Sequence, residues 1–83
     1  MFWNDENLKR LASEVDEFEK AAFQIGNLTT VERKKHMTFA AQSCSDDNVR
    51  YILGRSVGDL VKHPEYVRRA IGLARGHIET LRE

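Results

Sequence analysis

The sequence predicts a small all-α protein, a four-helix bundle formed by one helical domain that spans residues 1–83. Its composition is that of a folded chain, with 41% hydrophobic and 31% charged residues. Apolar residues recur at spacings of three and four in four segments, and no segment shows the strict alternation of a half-buried strand. Residues that start or stop helices separate the four segments. Together these patterns favour short helices joined by short connections.

The first predicted helix covers residues 5–25. Asn4 is a suitable N-cap, and Asp5 and Glu6 lie in the first turn, where the helix dipole favours negative charge. Gly26 follows, in the position just past the end of a helix that glycine commonly occupies. The apolar residues are spaced 3-4-3-4-3, which indicates a continuous buried seam: Leu8, Leu11, Val15, Phe18, Ala22 and Ile25.

The second helix is predicted over residues 30–44. Thr29 and Glu32 have the spacing of a capping box. Phe39 lies off the apolar stripe of this helix, which consists of Val31, Met37, Ala40, Ala41 and Cys44.

The third helix is predicted over residues 46–62, with Ser45 as its N-cap, and the fourth from Pro64 to the end of the chain. Their apolar residues complete the expected core. We expect its main members to be largely buried in one cluster: Leu8, Leu11, Val15, Phe18, Ile25, Val49, Leu53, Val57, Leu60, Ile71, Ala74 and Ile78.

No motif in the sequence identifies a reaction, so we expect a non-catalytic protein with no bound metal or cofactor. The three histidines form neither an HExxH nor a His-x-x-x-His pair. Cys44 is the only cysteine, which favours a reducing, cytoplasmic location, and it continues an apolar stripe, so we expect it to be buried. A minor enzymatic or redox role at Cys44 is the rival interpretation. No apolar run approaches the roughly 20 residues that a membrane span needs.

The function that the sequence favours is binding of another protein by a rigid helical face that covers a site on the partner. An adaptor, a chaperone-like subunit or a small inhibitor of the kind that mobile elements encode would act in this way. Tyrosine and arginine are enriched in interfaces, and glycines inside a helix cost stability, a cost that is more readily explained if a partner approaches the backbone there. Both features meet on the fourth helix, where the predicted partner-binding residues are Tyr66, Arg68, Arg69, Gly72, Arg75 and Gly76.

The alternative is a small regulator that binds nucleic acid. The overall charge is zero, but residues 21–36 and 61–83 each carry a net charge of +2. The candidate contacts are Arg33, Lys34, Lys35, Arg68 and Arg69. Asp46 and Asp47 argue against a helix-turn-helix, because they place negative charge where a recognition helix would meet phosphate.

Two further expectations concern association. The long apolar seam of the first helix and the small core favour a homodimer or a tight complex with another protein. Residues 1–20 carry six acidic and three basic residues, a net charge of −3. The acidic face of this helix is the next candidate for the partner surface, with Glu14, Asp16, Glu17 and Glu19 predicted to lie on the side away from the seam.

Overall fold

Four α-helices joined by short turns make up the protein in the computed structural model, which describes residues 3–82 and contains no strand within that range. This confirms the predicted small all-α four-helix bundle. The helices are α1 (Asp5–Glu19), α2 (Thr30–Gln42), α3 (Asp47–Ser56) and α4 (Pro64–Leu81). A π-helical turn (Lys20–Gln24) extends α1, and a 3₁₀ turn (Val57–Asp59) extends α3.

The predicted caps of the first two helices are confirmed. The Asn4 side chain accepts a hydrogen bond from the backbone N–H of Asn7 at 2.8 Å. At the start of α2, Thr29 Oγ1 accepts from the Glu32 N–H, and the Glu32 carboxylate accepts from the Thr29 N–H at 2.9 Å. These bonds satisfy N–H groups that have no partner within the helix.

The cap of α3 is Asp46, and the prediction of Ser45 is wrong. The Asp46 carboxylate accepts from the Val49 N–H at 3.0 Å and lies 3.2 Å from His77 Nε2. Ser45 is held elsewhere, because both its N–H and its Oγ–H donate to Glu14 Oε1 of α1. That contact joins residues 31 apart, so local sequence rules could not reveal it.

Replacing Asp46 with alanine should lower the free energy of unfolding by about 1–2 kcal/mol, since it removes the cap of α3. Asp47→Ala is the matched control, because the Asp47 side chain is 89% exposed and, within residues 3–82, forms an ion pair only with Arg50 of its own helix. Its cost should be about 0.3–0.5 kcal/mol, the lower part of the range for one acid at a helix start, because this side chain faces solvent. Urea denaturation measures both, and an equal loss in the two variants would contradict the assignment of the cap.

The helices pack in a ring, with α1 and α3 each in contact with both α2 and α4. His77 near the end of α4 contacts Asp46 and Asn48 at the start of α3, so these two helices run antiparallel. None of the helices in the described part is long and apolar enough to cross a membrane.

Most of the predicted core is confirmed. The predicted members that are buried come from α1, α3 and α4: Leu8, Leu11, Val15, Phe18, Val49, Leu53, Ile71, Ala74 and Ile78. Val57 and Leu60 are only half-buried against this cluster. Met37, Ala41 and Cys44 contribute from the side of α2. Two aromatic residues, Phe2 and Trp3, precede the first helix in the sequence, where a hydrophobic staple over its first turn is expected. Trp3 packs against the core cluster, and Phe2 lies outside the described residues.

Ile25 is 44% exposed, so its predicted burial is wrong. The cause is the π-helical turn, in which the Ile25 N–H donates to the Lys20 carbonyl five residues earlier rather than to a carbonyl four residues earlier. A wider turn shifts the register of the apolar seam. The chain then leaves the helix at Ile25, whose backbone is extended.

The third helix ends six residues earlier than the predicted Lys62. Ser56 Oγ donates to the Leu53 carbonyl at 2.8 Å, and the chain tightens into the 3₁₀ turn that contains Gly58. Val61 therefore falls in a turn and is exposed. Val31 was also predicted to face the core and is exposed, because it lies on the outer side of the first turn of α2.

Candidate functional site

A groove of about 290 Å³ lies between α3 and α4. Ser56 and Ala70 are buried at its base, whereas Tyr51 and Leu73 are 64% and 59% exposed. The groove therefore has small buried residues at its base and large apolar side chains at its solvent-exposed edges. Its full lining is Tyr51, Ile52, Arg55, Ser56, Asp59, Tyr66, Arg69, Ala70 and Leu73.

Two arginines of this groove rest on its two tyrosines. The Arg55 guanidinium lies 5.2 Å from the centre of the Tyr51 ring, and that of Arg69 lies 5.6 Å from the centre of the Tyr66 ring. His63 stacks on Tyr66 with 4.8 Å between the ring centres. Neither arginine forms an ion pair with any residue between Trp3 and Arg82. Their hydrogen-bond donors are positioned by the rings and left free of carboxylates.

The residues that the sequence predicted on the fourth helix divide between two surfaces. Tyr66 and Arg69 line the α3–α4 groove. Arg68 lies over the Phe23 ring, 3.9 Å from its centre, on the side of α4 that meets the end of α1.

Arg75 is engaged within the fold. Its guanidinium donates to Asp16 Oδ1 at 3.0 Å and to Glu19 Oε1 at 2.8 Å. These two carboxylates raise the pKa of Arg75 by favouring its charged form. Arg75 therefore ties α4 to α1.

Gly72 and Gly76 are exposed on α4 and do not line the groove. A methyl group added to either would meet no atom within 4 Å, and the same holds for Gly54 and Gly58. No segment within the described range approaches the backbone at these positions, so intramolecular packing does not require glycine at any of them.

The five cations of the nucleic-acid alternative do not converge on one site. Arg33 donates to the Ala21 carbonyl at 2.8 Å, where it satisfies the end of the first helix. Lys34 and Lys35 lie on the outer surface of α2. Arg69 lies in the α3–α4 groove, and α2 and α4 occupy opposite corners of the ring.

A second groove, of about 260 Å³, lies between α1 and α2. Phe39 and Ile25 give it an apolar surface, and Phe39 is 73% exposed. Its two carboxylates are already in use, since Glu14 accepts from Ser45 and Glu17 pairs with Lys20 at 3.3 Å. This groove therefore offers apolar area with less free charge than the α3–α4 groove.

Three acidic side chains of α1 bind other segments of the protein. Glu14 contacts Ser45, and Asp16 and Glu19 contact Arg75. Asp16 and Glu17 remain more than half exposed, as expected of an acidic face on the side away from the seam. Glu14 and Glu19 are half-buried instead, because they connect α1 to the start of α3 and to α4.

Cys44 is buried, as predicted, and its Sγ–H donates to the Ala40 carbonyl at 3.4 Å. Burial, with the nearby Glu14 carboxylate, raises the pKa of its thiol to about 11. Within residues 3–82, no three histidine, cysteine or acidic side chains gather closely enough to hold a metal ion.

A thiol reagent at pH 8 should label Cys44 slowly in the folded protein, where the thiol is buried. In 8 M urea the thiol is accessible, and labelling should be rapid. Folding raises the pKa of the Cys44 thiol, so the unfolded chain loses this proton at a lower pH than the folded chain. The free energy of unfolding should therefore be independent of this group below pH 9 and should fall as the pH rises from 9 toward 11. Equally fast labelling in both states would show that the thiol is accessible.

Sequence reasoning missed Tyr51, Arg55 and Leu73. One signal was present: Tyr51 and Arg55 are four apart, and this is the spacing at which a ring and a guanidinium meet on a helix. Leu73 was a second signal, because an apolar residue that lies off the buried stripe of its helix faces solvent. The stripe of the fourth helix, spaced 4-3-4-3, is Val67, Ile71, Ala74, Ile78 and Leu81. Comparisons with protein-family models, with curated proteins and with solved structures found no match.

Proposed function

We propose that this chain is a non-catalytic protein-binding module of the cytoplasm, which docks a segment of a partner protein into the α3–α4 groove. The observation that carries the proposal is the convergence of exposed Tyr51, Tyr66 and Leu73 with two arginines that have no carboxylate partner in the described chain. By covering a site on its partner, such a module acts as an adaptor, a chaperone-like subunit or an inhibitor.

The energetics of association support this groove. Burial of apolar area stabilises a complex by about 25 cal/mol for each Å² removed from water. A partner that covers the exposed side chains of Tyr51 and Leu73 would therefore stabilise the complex. Tyrosine and arginine are the residue types in which binding energy concentrates. Contact with the rings restrains both guanidiniums before binding, which lowers the entropy that association costs.

A protein partner is favoured over a nucleic acid. The rings on which bases would stack already contact Arg55, Arg69 and His63. Leu73, which is 59% exposed, gives the groove apolar area that a charged phosphate backbone would not remove from water.

Site-specific photo-crosslinking in cells of the source organism tests the proposal. A photoreactive phenylalanine analogue replaces Leu73 in the groove, and the same analogue replaces Phe39 in a matched control on the α1–α2 surface. We expect one protein to crosslink from position 73 but not from position 39, and the crosslink to be lost when Tyr51→Ser is added. Crosslinks to nucleic acid, or to proteins from position 39 alone, would contradict the proposed function.

A further inference from the structure

We infer that the α3–α4 groove takes an acidic amphipathic helix that belongs to a different protein. The inference rests on the proposed function and adds to it the chemistry and the shape of the segment that is bound.

The charge of the groove selects an acidic segment. Arg55 and Arg69 supply planar sets of donors that match carboxylates in pairs, and Asp59 is the only acidic residue of the lining. The groove therefore carries a net charge of +1 before binding. A basic segment would face two guanidiniums that have no carboxylate partner within residues 3–82, whereas an acidic segment supplies carboxylates to both.

The order of side chains along the groove indicates a helix. Tyr51 and Arg55 are one turn apart on α3, and Arg69 and Leu73 are one turn apart on α4. Because the two helices are antiparallel, the apolar residues Tyr51 and Leu73 lie toward one end and the two arginines follow together. Tyr66 comes next along α4. A helix that presents an apolar residue, a carboxylate one turn later and a second apolar residue at i+7 matches this order.

The occupant is not a second copy of this chain. Its acidic segment is residues 1–20, and the carboxylates in the body of α1 are committed to contacts within the fold. Glu14 binds Ser45, Glu17 pairs with Lys20, and Arg75 holds two more carboxylates. Freeing Glu14, Asp16 and Glu19 for a neighbouring copy would break the contacts that connect α1 to α3 and α4. Glu17 pairs only within its own helical segment, but alone it offers one carboxylate to two arginines.

A display library of random 16-residue peptides, selected on the immobilised full chain, tests the inference. The selection is repeated on two double variants, Tyr51→Ser with Leu73→Ser and Arg55→Gln with Arg69→Gln. All four side chains are exposed, so both variants should keep the fold, which circular dichroism checks. Displacement of the enriched peptides from the chain by a homo-oligomeric single-stranded RNA and sedimentation of the free chain are measured alongside.

We expect the selection on the full chain to enrich peptides with glutamate or aspartate one turn from a large apolar residue. Both double variants should bind these peptides at least tenfold more weakly than the original chain does. Peptides that need Tyr51 and Leu73 but show no acidic excess, or an excess of lysine and arginine, would overturn the inference and leave the proposed function standing. Failure to enrich any peptide that depends on Tyr51 and Leu73 would contradict the proposed function itself. Displacement of the peptides by RNA, or a dimer that buries the groove in the free chain, would also overturn the inference.

Discussion

Leu53→Ala is expected to lower the free energy of unfolding by about 2–5 kcal/mol, which is a large part of the stability of so small a domain. Leu53 has no exposed surface and lies in the cluster that joins all four helices. Truncation removes buried methyl groups and leaves a cavity that the neighbouring helices cannot fully close. Chemical denaturation followed by circular dichroism measures the change, and each kcal/mol should lower the melting temperature by roughly 4–8 °C.

Leu73→Ala is the matched control, because it makes the same chemical change at a leucine that is 59% exposed. Its effect on the isolated chain should stay within about 0.5 kcal/mol. A loss at Leu73 as large as that at Leu53 would mean that the groove residue is part of the core, which would contradict both the packing and the proposed binding surface.

Gly72→Ala combined with Gly76→Ala should raise the free energy of unfolding by about 1–2 kcal/mol. Both glycines lie inside α4, and a methyl group at either meets open space, so the gain in helix propensity is not offset by a clash. Differential scanning calorimetry should show a melting temperature higher by roughly 4–16 °C. An unchanged or lower melting temperature would show that a close contact at these positions requires glycine.

The same double variant separates two accounts of the partner surface. The sequence alone predicts that the added methyl groups weaken binding, because Gly72 and Gly76 belong to the predicted partner-binding face. The groove account predicts affinity within twofold of the original chain, since neither glycine lines the groove. Titration of the peptides enriched on the full chain, without prior sorting for dependence on the groove, distinguishes the two.

Local sequence rules succeeded where local interactions decide the structure. The Asn4 cap, the Thr29–Glu32 box and the start of α4 at Pro64 depend on neighbours within one helical turn. The buried stripes of α1, α3 and α4 follow from helical spacing alone, which is why residues such as Val15 and Leu53 were correctly placed.

The errors arise where a distant contact or a change of helix type intervenes. Ser45 is a good cap by type, but Glu14 binds it from another helix and leaves Asp46 to cap α3. Ile25 fits the apolar seam only if the α-helical register continues, and the π-helical turn ends that register. Neither the contact between Glu14 and Ser45 nor the π-helical turn follows from the spacing of neighbouring residues in the sequence.

The candidate site was half predicted for the same reason. Tyr66 and Arg69 were selected by residue type on one helix, and both line the groove. The other half of the groove comes from α3, and only the antiparallel packing of α3 on α4 brings Tyr51 and Arg55 beside them. Arg75 was selected by type as well, but Asp16 and Glu19 of α1 hold it.

Heteronuclear NMR of the labelled full chain tests the central claim most directly. The probe is a synthetic 16-residue helical peptide with leucines at i and i+7 and glutamates at i+3 and i+4, and its control is the twin with lysine in place of both glutamates. The account predicts that the acidic peptide shifts the amide signals of Tyr51, Arg55, Arg69 and Leu73, while the lysine twin leaves them unchanged. Equal shifts with both peptides, shifts centred on Phe39, or no shift at millimolar peptide would contradict it.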